Sequence, residues 1–165
     1  MRKPRNEKPV REKPEFFEQV LEINRVTRVV KGGKRMRFRA LVAIGDEKTK
    51  IGWGVGKATD VSGAIAKAVA DAKKNMVNIT IKKSTIPHPI SHTYKSAQVL
   101  LKPASPGTGI IAGGPMRVVL KLTGIKDVVG KLLGSQNKIS NVIATIRALA
   151  ELSDPEQVKK IRESK

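Results

Sequence analysis

Cysteine is absent from the 165-residue chain, and aromatic residues make up only 3% of it. Without cysteine the chain can form neither disulfides nor thiolate metal sites, which is compatible with a cytoplasmic protein. So few aromatic residues imply a core of Val, Ile, Leu and Ala, and they argue against a protein that reads single strands by stacking bases on aromatic side chains. No apolar run reaches the ~20 residues of a membrane-spanning helix, and the charged N-terminus lacks the apolar stretch of a secretory signal.

Acidic residues are also scarce: 14 Asp and Glu stand against 33 Lys and Arg, which gives a net charge of +19. A protein with this charge repels itself, so we expect a polyanionic partner. The candidates are nucleic acid, an anionic membrane surface and an acidic protein, and nucleic acid is the leading class. Residues 72–126 contain no acid and nine cations. The basic surface should therefore extend into the second half of the chain, and binding should depend steeply on salt.

The pattern of the first half predicts a basic flexible tail over residues 1–15 and a first unit over 16–79. Its predicted helix runs from Val61 to Asn75, with Asp60 as its N-cap and Asp71 on its solvent face. Its other predicted elements are a strand over Val20–Val30 broken near Asn24, a half-buried strand from Met36 to Ile44, a turn at Gly45–Lys48, a strand over Ile51–Gly56 and a strand over Val77–Ile81. Every second residue of the strand over Ile51–Gly56 is glycine, so a helix can approach it closely.

The second half predicts a connection over residues 80–96, which contains Pro87, Pro89 and both histidines, and a second α+β unit over 97–165. Its expected elements are a strand at Val99–Leu101, a loop at Pro103–Pro115, a short helix ending at Gly124, a strand at Val128, a helix over Ile139–Leu149 and a last helix beginning at Ser153.

Residues 25–39 contain seven Lys or Arg and no acid. The Gly32-Gly33 pair permits a tight reversal between two strands, so this segment should project as a basic finger whose Arg side chains and backbone N–H groups contact phosphate. A solvated hairpin is the alternative, although surfaces usually mix both signs of charge. The RNA-binding candidates are Arg25, Arg28, Lys31, Gly32, Gly33, Lys34, Arg35, Arg37, Arg39 and Lys57.

Two glycine-rich segments suggest nucleotide sites. In Gly52–Ala58 the first glycine and the hydroxyl residue of a phosphate-binding loop are missing. Gly107–Gly114, with Asp127 as a ribose ligand, approximates a dinucleotide loop, but a close backbone approach to RNA or protein is favoured. His88 and His92 lack further metal ligands nearby and are interpreted as linker histidines. No nucleophile and base stand out, so we expect neither catalysis nor a cofactor.

Several stretches together resemble the bacterial form of the small-subunit ribosomal protein five family: NRVTRVVKGGKRMRFRALVAIGD, IGWGVGKATDV, AIAKAVADAKKNM, TIPHPI and KPASPGTGIIAGGPMRVVLKLTGI. The resemblance runs from about Phe16 to Glu156. It implies a first domain similar to a double-stranded-RNA-binding fold and a second α+β domain with a left-handed βαβ crossover. It also implies a structural, cytoplasmic component of the small ribosomal subunit.

The same resemblance implies specific partners: ribosomal RNA, ribosomal proteins four and eight, and messenger RNA near its entry path. The loop Val29–Arg35 would enter RNA near the spectinomycin site. Gly107, Thr108, Gly109 and Arg117 would contact protein four and so affect decoding accuracy. A free RNA chaperone or duplex-binding regulator and a nucleotide-using enzyme remain the alternative hypotheses.

Overall fold

Two four-stranded sheets organise the part of the chain that the computed structural model describes, residues 16–82, 84–154 and 162–163. The first sheet is antiparallel, in the order β1-β2-β3-β4. The first unit consists of β1 (Phe17–Val30), β2 (Gly33–Gly45), β3 (Lys50–Ala58), α1 (Val61–Lys74) and β4 (Val77–Asn78).

The second sheet has the order β5-β6-β8-β7, with β7 parallel to β8 and the other neighbours antiparallel. The second unit consists of β5 (Ile90–Tyr94), β6 (Ala97–Pro103), β7 (Ile110–Ile111), α2 (Gly114–Leu122), β8 (Val128–Gly134) and α3 (Lys138–Ala150). Helix α2 thus connects two parallel neighbours as a βαβ crossover, whose handedness stays a prediction. The α+β class in two units is confirmed.

The turn predicted at Gly45–Lys48 is confirmed, and Asp46 stabilises it. Its carboxylate accepts hydrogen bonds from the backbone N–H groups of Lys48, Thr49 and Lys50 at 2.9, 2.9 and 2.8 Å. Partial burial raises the pKa of Asp46, but these donors outweigh it and bring the pKa below the ordinary 3.8.

The glycines of β3 allow α1 to lie directly on the sheet, as predicted. A Cβ built on Gly54 or Gly56 would overlap a backbone carbonyl oxygen of α1. The helix begins where expected, because the Asp60 carboxylate accepts a hydrogen bond from the Gly63 N–H at 2.9 Å.

Asp71 does not face solvent as the helical periodicity predicts. Its carboxylate accepts a hydrogen bond from the Val55 backbone N–H at 3.1 Å. Strand β4 pairs with β3 only at Lys50 and Ile51, so the edge of β3 beyond them needs another acceptor. The Asp71 carboxylate supplies it.

The second unit covers the face of the first sheet that α1 leaves open. Leu41 and Ala43 of β2 belong to one buried cluster with side chains of β6, α2 and α3, whereas residues 40, 42 and 44 pack with α1. The prediction of a half-buried strand is therefore wrong for this part of β2, which is buried on both faces. Its unbroken run of apolar residues is typical of such strands.

Several other predictions need correction or remain open. Residues 110–111, expected within the loop at Pro103–Pro115, form β7 because they pair with β8. β1 runs without a break through Asn24, and its pairing with β2 is irregular only between Val20 and Glu22. β4 ends at Asn78, before the predicted Ile81. Residues 90–94, assigned to the connection, form β5 because they pair with β6. The predicted tail over residues 1–15 lies outside the described residues. The last predicted helix lies largely outside them, because 155–161 and 164–165 are not among them.

Candidate nucleic-acid interface

The β1–β2 hairpin projects beyond the rest of the first sheet. β3 pairs with β2 only as far as Phe38, which is opposite Arg25 on β1. Residues 26–37 therefore form a two-stranded ribbon that continues for five residues past the end of β3, about 17 Å at the usual rise of a strand. Both strands of this ribbon are mostly exposed. The predicted basic finger is present as a structural element.

The reversal at its tip differs in detail from the prediction. Val30 pairs with Gly33, so the two turn residues are Lys31 and Gly32 rather than the glycine pair. Gly33 is the first residue of β2 and has a φ of +135°, which side chains rarely adopt. Gly32 has no such angle and is surrounded by open space. The turn therefore requires glycine at position 33 only.

The pairing of the strands places five of the predicted cations on one face. Residues directly opposite in an antiparallel pair share a face, and alternate residues along a strand do the same. Arg28 is opposite Arg35, and Arg39 is opposite Lys57 on β3. We name this surface the cationic face; its members are Arg28, Arg35, Arg37, Arg39 and Lys57, and a shallow groove along it is lined by four of them together with Val26, Thr27 and Val30.

The cationic face contains two pairs of like charges in direct opposition, Arg28 with Arg35 and Arg39 with Lys57. Such cross-strand pairs are destabilising. Among the described residues the salt bridges are Lys138–Glu22 and His92–Glu151, neither of which involves these cations. A bound anion would relieve the repulsion, and the guanidinium fork matches phosphate in geometry as well as in charge.

The remaining candidates of the hairpin lie elsewhere. Arg25 and Lys34 are on the opposite face, beside Val29 and Met36, which are 73% and 55% exposed. Lys31 is in the turn. The high density of cations in residues 25–39 does not by itself divide them between two faces. The signal that separates them is the alternation in both strands, counted outward from a two-residue turn.

The predicted protein-interface loop at Gly107, Thr108 and Gly109 is held by Asp127. Its carboxylate accepts the N–H groups of Gly107 and Gly109, both at 3.0 Å, and is buried. The pKa of Asp127 lies below the ordinary 3.8, although burial raises it. The hydrogen bond from Gly109 lowers this pKa most, followed by those from the Ser84 hydroxyl and Gly107 and by the charge of Lys126. Asp127 is the only acid between residues 72 and 150, which is the one sequence signal for this role.

This geometry contradicts both nucleotide-loop interpretations. The Asp127 carboxylate already binds the protein's own loop and is not free for a ribose. Residues 52–57 form part of a strand within the first sheet instead of a phosphate-binding loop. Arg117 lies on α2 and lines a shallow groove with Ile110 and Lys121, so it borders the chain just after Gly109.

Both histidines contact the chain that follows α3. His92 Nδ1 is 2.9 Å from a carboxylate oxygen of Glu151, and the backbone N–H of Ser153 donates to His88 Nε2 at 3.3 Å. Over the described ranges, no three His, Asp or Glu side chains are grouped so that they could hold a metal ion. In the same ranges no helix is long and apolar enough to cross a membrane.

Comparison with known proteins identifies relatives of both units. Residues 16–80 match Ribosomal protein S5, N-terminal domain, and residues 92–162 match Ribosomal protein S5, C-terminal domain. The chain is 47% identical to the small ribosomal subunit protein uS5 of Nostoc punctiforme over 98% of this chain and 93% of that protein. It is 48% identical to uS5 of Thermotoga neapolitana over 90% and 84% of the two chains, and 49% identical to uS5 of Synechococcus elongatus over 90% and 83%.

Proposed function

Because the chain belongs to the ribosomal protein S5 family and is a structural, non-enzymatic component of the small ribosomal subunit that binds ribosomal RNA, we propose that the cationic face is the surface that contacts this RNA. Arg28, Arg35, Arg37 and Arg39 bind phosphate oxygens, and Lys57 extends the contact onto β3. Contacts of this kind position a protein on RNA without reading its sequence. The turn at Lys31 enters a cleft of the RNA, and Gly33 gives the tip its shape.

One observation supports this proposal above the others: two pairs of cations oppose each other directly across the strands, with no acid in an ion pair with them among the described residues. A hairpin selected only for folding would place opposite or neutral partners at these positions. The repulsion is accepted in the free protein because the RNA backbone neutralises it in the particle.

The finer partners are part of the same proposal. Ribosomal protein four contacts the loop of Gly107, Thr108 and Gly109 together with Arg117, and ribosomal protein eight contacts another surface of the chain. Asp127 supports this assignment because it makes the loop a rigid surface, and Arg117 supports it because it is exposed beside that loop. Messenger RNA near its entry path and the spectinomycin site lie near the hairpin, and the contact with protein four affects decoding accuracy.

The test compares two double variants that remove the same charge. Arg28→Gln/Arg35→Gln removes a pair from the cationic face, whereas Arg25→Gln/Lys34→Gln removes two cations from the opposite face. We expect the first variant to weaken binding to a small-subunit RNA fragment. The negative slope of log K against log salt should become shallower by about 2, since each phosphate contact contributes about −0.9 to it. The second variant should change both quantities less.

Equal losses in the two variants would mean that affinity follows net charge, and the assignment to one face would be wrong. Sedimentation supplies the second readout: the parent chain should travel with small subunits at moderate salt, and the Arg28→Gln/Arg35→Gln variant should be released at lower salt than the matched control. Equal affinity for an arbitrary RNA duplex would instead favour a free duplex-binding protein.

A further inference from the structure

The only tryptophan and the only tyrosine of the chain meet in one groove between the two units. Trp53 comes from β3, Tyr94 from the end of β5, and Ile146 and Arg147 from α3. None of the nine residues that line the groove is acidic. Its volume of about 270 Å³ is just under the range of ~300–1,000 Å³ typical of sites for drug-sized ligands, so it suits a single flat ring system.

Two cations are close to the Tyr94 ring. The Arg147 guanidinium carbon is 4.5 Å from the ring centroid, and Lys95 Nζ is 5.6 Å from it. Both are within the range of cation–π contacts. RNA-binding proteins stack unpaired bases on aromatic rings and on guanidinium planes. The groove therefore combines a stacking surface with positive charge for the phosphate that a nucleotide carries.

The backbone at Lys95 is an independent observation. Lys95 and Ser96 form the two-residue turn between Tyr94 and Ala97, and Lys95 has a φ of +55°. This region is unfavourable for residues with a side chain, and glycine would adopt it at lower cost. Residues held in such conformations cluster at functional sites. Lysine at this position adds an ammonium group beside the groove at the expense of turn stability.

We infer that this groove binds one unpaired base of RNA, stacked against Trp53 and the Tyr94–Arg147 pair. The inference rests on the proposed function, in that the same RNA occupies the cationic face, but it uses different residues. Trp53 and Lys57 point to the same face of β3 and are four residues apart, about 13 Å. A strand leaving the cationic face thus reaches the groove within a few nucleotides. One such site is compatible with a chain that is otherwise poor in aromatic residues.

The experiment uses the full chain and the fluorescence of Trp53, which reports on the groove alone because no other tryptophan exists. The probes are a labelled single-stranded octaadenylate and an abasic oligomer with the same number of phosphates. We expect the octaadenylate to quench Trp53 saturably, and the abasic oligomer to bind by anisotropy without quenching. Arg147→Gln and Tyr94→Leu should weaken octaadenylate binding by about 5- to 150-fold, the range for loss of one stacked base.

Lys95→Gly separates binding from folding. It removes the ammonium and relieves the positive φ, so it should raise the thermal midpoint and still weaken octaadenylate binding. Equal quenching by the abasic oligomer, unchanged binding in Arg147→Gln, or octaadenylate binding without quenching would each overturn the inference. If the hairpin variants lose RNA binding as proposed while Trp53 is unaffected by bases, the proposed function stands and this inference fails. If no RNA binds, both fail.

Discussion

Replacing Gly33 with alanine perturbs a single backbone angle at the tip of the hairpin. Gly33 has a φ of +135°, and nothing lies within 4 Å of the place where a Cβ would be. The added methyl group therefore meets no steric neighbour, and the whole effect comes from the conformation of residue 33. Such a conformation costs about 1–3 kcal/mol for a residue with a side chain.

The cost should appear in RNA binding and not in global stability. The ribbon beyond β3 is mostly exposed and contributes no residue of the two buried clusters, so the rest of the fold does not depend on its tip. If binding requires the native turn, the competent population falls, and the apparent affinity falls with it by about 5- to 150-fold.

Gly32→Ala is the matched control one residue away. Gly32 has no positive φ and lies in open space, so alanine there should leave affinity unchanged and the stability unchanged or slightly higher. The assays are titration of a small-subunit RNA fragment, the thermal midpoint, and hydrogen exchange of amides in residues 26–37. Equal affinity losses in the two variants, or a large fall in the thermal midpoint for Gly33→Ala, would refute the reasoning.

Three other predictions concern the two units. Gly54→Ala should destabilise the fold by about 1–3 kcal/mol or more in chemical denaturation, because its Cβ would overlap the α1 backbone; a smaller change would mean that α1 can move away. Asp127 has a lowered pKa, so its contribution to the Gly107–Gly109 loop should be complete above pH 3.8 and should be lost as the pH falls through its lower folded value. Exchange of the loop amides should then rise in acid, and Asp127→Ala should raise it at neutral pH; no change would contradict the assignment. Arg35→Thr should stabilise the free protein by a few tenths of a kcal/mol at low salt, less at high salt, by removing the repulsion with Arg28; a loss of stability would indicate that the pair is not repulsive.

The elements with strong local signals could be predicted from the sequence. The alternating glycines predict the close packing of a helix on β3, Asp60 predicts the start of α1, and Gly124 predicts the end of α2. Each of these depends on residues near in sequence, where sterics and hydrogen bonding act without help from the rest of the fold.

The predictions that were wrong concern residues whose environment depends on contacts between distant segments. Whether Leu41 faces solvent or a core is decided by a second unit some 60 residues later in the chain. Likewise, the helical pattern alone places Asp71 on the surface. In the structure its carboxylate accepts from the Val55 N–H, because the short β4 does not pair with that part of β3. β5 was missed because the prolines before it resemble a connection, and only its pairing with β6 defines it as a strand.

One alternation along β2 decides both how the two units pack and where the cations point. The odd-numbered residues are cationic from 35 to 39, and at 41 and 43 they belong to the buried cluster shared with the second unit. The cationic face and the second unit therefore lie on the same side of the first sheet, with α1 on the other. A shift of one residue in the register of a strand moves each of its side chains to the other face of the sheet.

A paired insertion tests whether this orientation matters. One threonine inserted after Arg25 and one before Phe38, which are opposite residues, would keep the charge and the packing of residues 40–45 but turn Arg28, Arg35 and Arg37 to the side of α1. Two threonines at each place would restore their direction in a longer ribbon. We expect the single insertion to weaken RNA binding and to lower the salt concentration at which the RNA is released. The double insertion should recover much of the affinity. Equal binding by both would show that a basic ribbon is sufficient and that its facing is irrelevant.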